Sequence, residues 1–135
     1  TELLSLIQIA FGGMVAEELF FGEVSTGPSS DLNYATTVAA QMVGATGMVG
    51  SLINVSAAQG TTTLVAQVIS DATSRAALEE LLVAQKEVAR QVLVEHRQAV
   101  VRLRDALLER HELVGEEILA VISDDQIDLR VVPVP

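Results

Sequence analysis

The chain has 135 residues, of which half are hydrophobic and only 3% aromatic, and its net charge is −10. This length suffices for one domain with a buried core, and the lack of cysteine excludes disulfides and thiolate metal ligands. The acidic balance argues against nucleic acid or an anionic membrane surface as a partner. Since no lysine or arginine precedes Arg75, we expect much of the first half to be core or subunit interface.

The first predicted element is a helix over residues 2–21, because its apolar side chains recur at helical spacing. Gly12 and Gly13 interrupt it, each at a cost of about 1 kcal/mol in a helix interior, unless another backbone or a bound group approaches them. Gly22 is placed like a helix C-cap. The apolar stretch 3–16 is too short to cross a bilayer and, without a basic segment before it, is a poor signal peptide.

The chain begins at Thr1 and enters a helical pattern at once, which predicts a fragment of a longer protein. Residues 23–30 then form a predicted turn that is punctuated by a Gly-Pro pair. A second helix is expected to run to about Val43 or Thr46. Its candidate N-caps are three polar residues at its start, Ser29, Ser30 and Asp31.

The remaining chain is predicted to be helical after a glycine-rich interval. Residues 49–63 form an irregular connection with room for one short strand, and residues 64–123 form the C-terminal helices, with a break near His96-Arg97. Residues 124–135 form a tail. The fold class is therefore all-α, a helical bundle in which residues 1–123 make up one partial domain and residues 1–48 its first half.

The first half holds five carboxylates with no cation near them in sequence, and three of these are considered for a metal site: Glu17, Glu18 and Asp31. A hydrolytic zinc site needs about three N or O ligands and one open position for water. Asp31 is a possible ligand, and Glu17 a possible ligand or a partner that orients a ligand histidine. The alternatives are a helix cap for Asp31 and a solvated helix face for the glutamates.

The two histidines give no metal motif. "HELVG" at 111–115 resembles the start of H-E-x-x-H, but position 115 is glycine, so the second histidine of that motif is missing. His96 lies between Glu95 and Arg97 and is expected at the surface. The residues alone therefore indicate a helical domain without an assigned role.

Two segments of the chain, in this order, resemble segments of one known protein family. "GGMVAEELFFGEVSTGPSSDLNYATTVAAQMVGATGM" at 12–48 and "AALEELLVAQKEVARQVLVEHRQAVVRLRDALLERHELVGEEI" at 76–118 are similar to the C-terminal part of the peptidase domain of FtsH-type proteases. These are ATP-dependent zinc metalloproteases of the AAA protease family. There a Gly-Gly-Arg-x-Ala-Glu-Glu helix is followed by a Gly-Glu-Val-Thr-Thr-Gly-Ala turn and Ser-Asn-Asp-Leu.

The resemblance implies a metal site. It places the family's third zinc ligand on Asp31 and a glutamate held close to the zinc histidines on Glu17. The H-E-x-x-H helix, with the other two ligands and the general base, would lie upstream of this chain, which alone would not be catalytic. Zinc is therefore implied for the intact parent and would bind weakly or not at all to this chain by itself.

The resemblance also implies partners and a location. An AAA+ ATPase module would feed unfolded or membrane proteins to a hexameric protease at the cytoplasmic face of the bacterial inner membrane, whereas this fragment would be soluble. Departures from the family pattern include Met14 in place of the usual arginine and "PSSD" in place of Ala-Ser-Asn-Asp. They leave a second reading, a non-catalytic helical oligomerisation or scaffold module of a diverged relative.

Overall fold

The computed structural model describes residues 2–45 and 63–123. These residues form six helices and no strand, which confirms the all-α prediction. The predicted tail, and the predicted connection apart from Thr63, lie outside the described residues. In chain order the helices are α1 (Glu2–Phe21), α2 (Ser29–Gly44), α3 (Leu64–Ser70), α4 (Ala72–Glu95), α5 (Arg97–Arg110) and α6 (Gly115–Ser123).

The described helices divide into two compact units with a boundary inside α4, between Arg90 and Gln91. In the first unit α1 packs against α2, and α2 packs against α3. Large apolar side chains of α1 meet a face of α2 that is rich in alanine, where small side chains allow two helices to approach closely. The buried residues of these two helices are Ile7, Ala10, Phe11, Val15, Ala35, Val38, Ala39, Ala40, Met42, Val43 and Gly44.

Helix α1 is longer than the apolar stretch 3–16 on which the expectation about membranes rested. With 20 residues it is long and apolar enough, by length and composition alone, to cross a membrane. The expectation rested on residues 3–16 alone, and α1 as a whole has the length that those residues lack. The core helix of a bundle passes the same test, and α1 packs on α2 and makes polar contacts with α4 through Gln8 and Glu18.

The start of α2 differs from the sequence-based expectation. The residue before the helix is Pro28, with φ −70° and ψ 1°, and no side chain caps the helix by a hydrogen bond. The prediction that Ser29, Ser30 or Asp31 caps α2 is therefore wrong. Pro28 is buried and its carbonyl accepts a hydrogen bond from the Leu32 amide at 2.9 Å, so the hydrogen bonding of α2 begins at this residue.

A glycine at the end of α2 permits close packing on α3. A Cβ atom added to Gly44 would lie 2.7 Å from Val68 Cγ2 and 2.9 Å from Leu64 Cδ1. Val68 is fully buried and its β-branched side chain is stiff at χ1, so an added methyl group would have to displace packed atoms. Close approach is therefore found at Gly44, whereas no atom of the described residues lies within 4 Å of a Cβ added to Gly12.

Two glycine-to-alanine substitutions should consequently have opposite effects. We expect Gly44→Ala to destabilise the chain by about 1 kcal/mol or more, because overpacking of this kind costs about 1–3 kcal/mol. Gly12→Ala, the matched control inside α1, should stabilise it by about 0.5–1 kcal/mol through helix propensity. Urea denaturation of the two variants measures both changes, and a stabilised Gly44→Ala variant would contradict the close α2–α3 packing.

Asp71 separates α3 from α4 and caps the second of these helices. Its Oδ2 accepts a hydrogen bond from the Ser74 amide at 2.8 Å, and its carbonyl accepts one from the Arg75 amide. The hydrogen bond from the Ser74 amide to the side chain favours the ionised carboxylate and is the main cause that lowers the pKa of Asp71, with a smaller contribution from the Ser74 hydroxyl. The charge also lies at a helix N-terminus, where it is favourable.

The lowered pKa of Asp71 predicts a pH-dependent contribution to stability. A carboxyl whose pKa is lower in the folded chain stabilises the fold above its unfolded pKa of about 3.9, and this contribution is lost as the pH falls through the folded value. Asp71→Asn keeps a capping oxygen without the charge. We expect wild type to melt above Asp71→Asn at pH 7 and the difference to shrink at pH 3, as followed by circular dichroism. An unchanged difference would contradict the capping role.

The second unit contains the end of α4 together with α5 and α6. In this unit α5 packs against α6. Glu117 accepts a hydrogen bond from the Val114 amide at 2.9 Å, which closes the first turn of α6. At the other end of α6, the Arg102 guanidinium donates to the carbonyls of Val121 and Ile122 at 3.1 and 3.3 Å. Both ends of this short helix are thereby satisfied by side chains.

Candidate metal centre

Asp31 lies in the first turn of α2, and its carboxylate faces α1. Its Oδ2 is 4.0 Å from the position that a Cβ on Gly13 would occupy. The side chain is exposed and makes no hydrogen bond or ion pair with any residue of 2–45 or 63–123. A carboxylate in this state has all its oxygen lone pairs open to water or to a cation.

Glu17 lies on α1, four residues after Gly13. Its carboxylate binds Ser25 in the loop that connects α1 to α2. Its Oε2 accepts a hydrogen bond from the Ser25 amide at 2.8 Å, and its Oε1 accepts one from the Ser25 hydroxyl at 2.9 Å. The Ser25 hydroxyl oxygen in turn accepts a hydrogen bond from the Gly27 amide at 3.2 Å. Each carboxylate oxygen of Glu17 retains a second lone pair for another donor.

Glu18 is paired, although no cation lies near it in sequence. Lys86 Nζ of α4 is 2.6 Å from Glu18 Oε1, with both side chains about one-third exposed. One residue earlier on α4, Gln85 accepts a hydrogen bond from Gln8 of α1 at 2.7 Å. Glu18 therefore joins α1 to α4 and differs in function from Glu17, its neighbour in the sequence.

The donor chemistry of this region fits part of a zinc site. A carboxylate oxygen is a regular zinc ligand, and Asp31 presents one without a competing partner in residues 2–45 and 63–123. Glu17 could accept a hydrogen bond from a ligand histidine, which is the usual way such a ring is oriented. Within the described ranges, no group of three or more histidine, aspartate or glutamate side chains is arranged to hold a metal ion.

Both histidines lie around α5 and have local structural functions. His96 precedes α5 as its N-cap residue, and its carbonyl accepts a hydrogen bond from the Val100 amide. His111 ends α5 in the left-handed conformation at φ 65°, with its amide donating to Leu107. Such a conformation is uncommon for a residue with a Cβ.

Known proteins match most of this chain. The family model of Peptidase family M41 matches residues 1–121. The chain belongs to peptidase family M41. This membership confirms the FtsH-type resemblance of the sequence, because the matched segment contains the α1–turn–α2 region with Glu17 and Asp31 as well as the helices that follow.

The M41 relatives are much longer than this chain. It is 32% identical to ATP-dependent zinc metalloprotease FtsH 2 of Methylacidiphilum infernorum, over 90% of this chain and 21% of the relative. It is 36% identical to ATP-dependent zinc metalloprotease FTSH 11, chloroplastic/mitochondrial, of Arabidopsis thaliana, over 93% of this chain and 15% of the relative. It is 36% identical to ATP-dependent zinc metalloprotease FtsH 3 of Synechocystis, over 94% of this chain and 23% of the relative. The chain thus spans about a fifth of the length of these relatives.

Two residues of this M41 region were missed by sequence reasoning. Ser25 fell within the predicted turn over residues 23–30 and Lys86 within the predicted C-terminal helices, and neither was given a contact. The partner of Ser25 lies eight residues away and that of Lys86 lies 68 residues away. The serine carried a weak signal, since a hydroxyl residue in a tight turn often bonds to a nearby polar group, whereas the lysine carried none.

Proposed function

We propose that this M41 chain is the C-terminal part of the peptidase domain of an ATP-dependent zinc endopeptidase, in which Asp31 is a metal ligand. The observation that carries the proposal is the state of the Asp31 carboxylate. It is exposed, without a partner among the described residues, and directed at Gly13 of α1 inside the segment that the family model matches.

The residues of this chain would provide one side of the site. Zinc, when bound, lowers the pKa of a coordinated water towards about 7 and polarises the scissile carbonyl. Asp31 holds the metal through a carboxylate oxygen. Glu17, held by Ser25, accepts the second ring N–H of a ligand histidine and so fixes its tautomer and orientation. The histidine ligands and the general base come from an H-E-x-x-H segment elsewhere in the longer protein, so this chain alone does not hydrolyse peptides.

The similarity to ATP-dependent zinc metalloproteases supports a proposal about the remaining partners. We propose that an AAA+ ATPase module in the longer protein delivers unfolded or membrane proteins to the peptidase domain. The assembly is a hexamer at the cytoplasmic face of the bacterial inner membrane. Nucleic acid is not a partner, because the chain has 18 acidic and only 8 basic residues.

One observation favours a second candidate, a non-catalytic scaffold module. Helix α1 exposes two large apolar side chains, Ile9 and Phe21, each 74% exposed in this chain. Large apolar side chains at this exposure are suited to burial against another subunit or domain. A diverged M41 protein could therefore keep the fold for assembly and lack the chemistry.

Metal analysis of the full-length protein that contains this chain separates the two candidates. The protease proposal expects about one zinc per subunit, together with hydrolysis of an unfolded protein such as casein that a chelator abolishes. The 135-residue chain alone serves as the control and should show no hydrolysis. A full-length protein that assembles without stoichiometric zinc would overturn the protease proposal in favour of the scaffold.

A further inference from the structure

The contacts of Ser25 form a compact clamp between α1 and the turn that precedes α2. Its amide and hydroxyl donate to the two different oxygens of Glu17, at 2.8 and 2.9 Å. Its hydroxyl oxygen accepts from the Gly27 amide at 3.2 Å. The hydroxyl therefore uses both its donor and its acceptor capacity.

The clamp has two mechanical consequences. It fixes the direction of the Glu17 carboxylate, because two donors on one residue hold both of its oxygens. It also ties Gly27 to α1 immediately before the buried Pro28, whose carbonyl begins the hydrogen bonding of α2 at Leu32. The first turn of α2 is thus held at a set distance from α1.

We infer that Ser25 is a positioning residue of the metal site, since its bonds to Glu17 and Gly27 hold the Asp31 carboxylate opposite Gly13. This inference rests on the proposed function of Asp31 as a ligand. The effect on the Asp31 position concerns this chain alone, however, and can be measured without metal. The two proposals can therefore fail separately.

The first experiment uses the 135-residue chain and nuclear magnetic resonance. We expect Ser25→Ala to speed hydrogen exchange of the Gly27 amide about threefold to tenfold, the factor that corresponds to loss of an ordinary hydrogen bond. The nuclear Overhauser effect between the Gly13 Hα and Asp31 Hβ protons should weaken. Ser25→Thr should restore both signals. Thr26→Ala, which removes the neighbouring hydroxyl from the same turn, is the matched control and should change neither.

The second experiment measures zinc affinity of the full-length protein by competition with a chelator. We expect Ser25→Ala to weaken zinc binding about 10-fold to 100-fold, as loss of a partner beyond the ligands usually does, with rescue by Ser25→Thr. A purely structural role would lower the melting temperature instead and leave the zinc affinity of the folded protein unchanged.

The outcomes separate cleanly. Unchanged Gly27 exchange and an unchanged Gly13–Asp31 signal in Ser25→Ala would overturn the inference at once. If both change, yet wild-type full-length protein holds no zinc, the proposed function fails and the positioning of Asp31 by Ser25 stands. If wild type binds zinc and Ser25→Ala binds it equally well, Ser25 has no role in the metal site.

Discussion

Replacement of Asp31 by alanine is expected to remove zinc from the full-length protein and with it all peptide hydrolysis. A hydrolytic zinc site has only three protein ligands, so removal of one should weaken zinc binding severely. The loss of zinc affinity should exceed the loss of about 10-fold to 100-fold that follows removal of a residue that only orients a ligand. Metal analysis after dialysis against a weak chelator measures it. Because Asp31 is exposed and has no partner among the described residues, we expect little change in the thermal stability of the 135-residue chain.

A matched carboxylate makes the Asp31 experiment specific. Glu23 is also exposed, lies in the turn between α1 and α2, and makes no hydrogen bond or ion pair with the described residues, so Glu23→Ala removes one negative charge without removing a ligand. We expect this variant to retain zinc. Asp31→Asn keeps the side-chain shape but loses the charge and should weaken zinc binding. Full zinc occupancy in Asp31→Ala would show that another residue is the ligand.

The helices of the chain were largely predictable because their causes are local. The predicted helix over 2–21 coincides with α1, and the predicted stop at Gly22 coincides with a glycine at φ 75°. Apolar periodicity and a left-handed glycine are both visible in a single sequence. The break expected near His96-Arg97 was also found, since α4 ends at Glu95 and α5 begins at Arg97. The two helices are separated by a single residue, His96.

The packing of the helices was less predictable, since it depends on residues distant in sequence. From the sequence, a close approach of another group was considered at Gly12 and Gly13. In the structure the close approach is at Gly44 of α2, which is contacted by Val68 and Leu64 of α3. Nothing in the sequence around Gly44 indicates which side chain will lie against it. That information exists only once α2 and α3 are packed.

In the candidate site, too, the sequence indicated the residues but not their contacts. Asp31 and Glu17 were singled out because the sequence resembles the FtsH-type family, and periodicity alone left them as a cap and a solvated face. The structure excludes a capping hydrogen bond from the Asp31 side chain and gives Glu18 its own cation, Lys86. The three carboxylates, which looked alike in sequence, therefore differ in their surroundings: one bonds to a turn, one is paired with lysine, and one is open.

Truncation of Phe11 should have the largest effect on stability. This side chain of α1 is 3% exposed, and a buried phenylalanine replaced by alanine costs about 3–5 kcal/mol. That is a large share of the about 5–15 kcal/mol that holds a typical domain folded. We expect Phe11→Ala to shift the urea midpoint of the 135-residue chain strongly downward, or to leave the chain unfolded.

Phe21 of the same helix provides the control, because it is 74% exposed and Phe21→Ala removes the same atoms. In this chain its effect should stay within about 0.5 kcal/mol. Equal losses from the two substitutions would mean that α1 does not bury the Phe11 face against α2. In the full-length protein, a loss of assembly caused by Phe21→Ala without loss of zinc would show that this exposed end of α1 is covered by another subunit or domain. Assembly and metal binding would then depend on separate residues of one helix, since Glu17 lies a turn away from Phe21 and is held by Ser25.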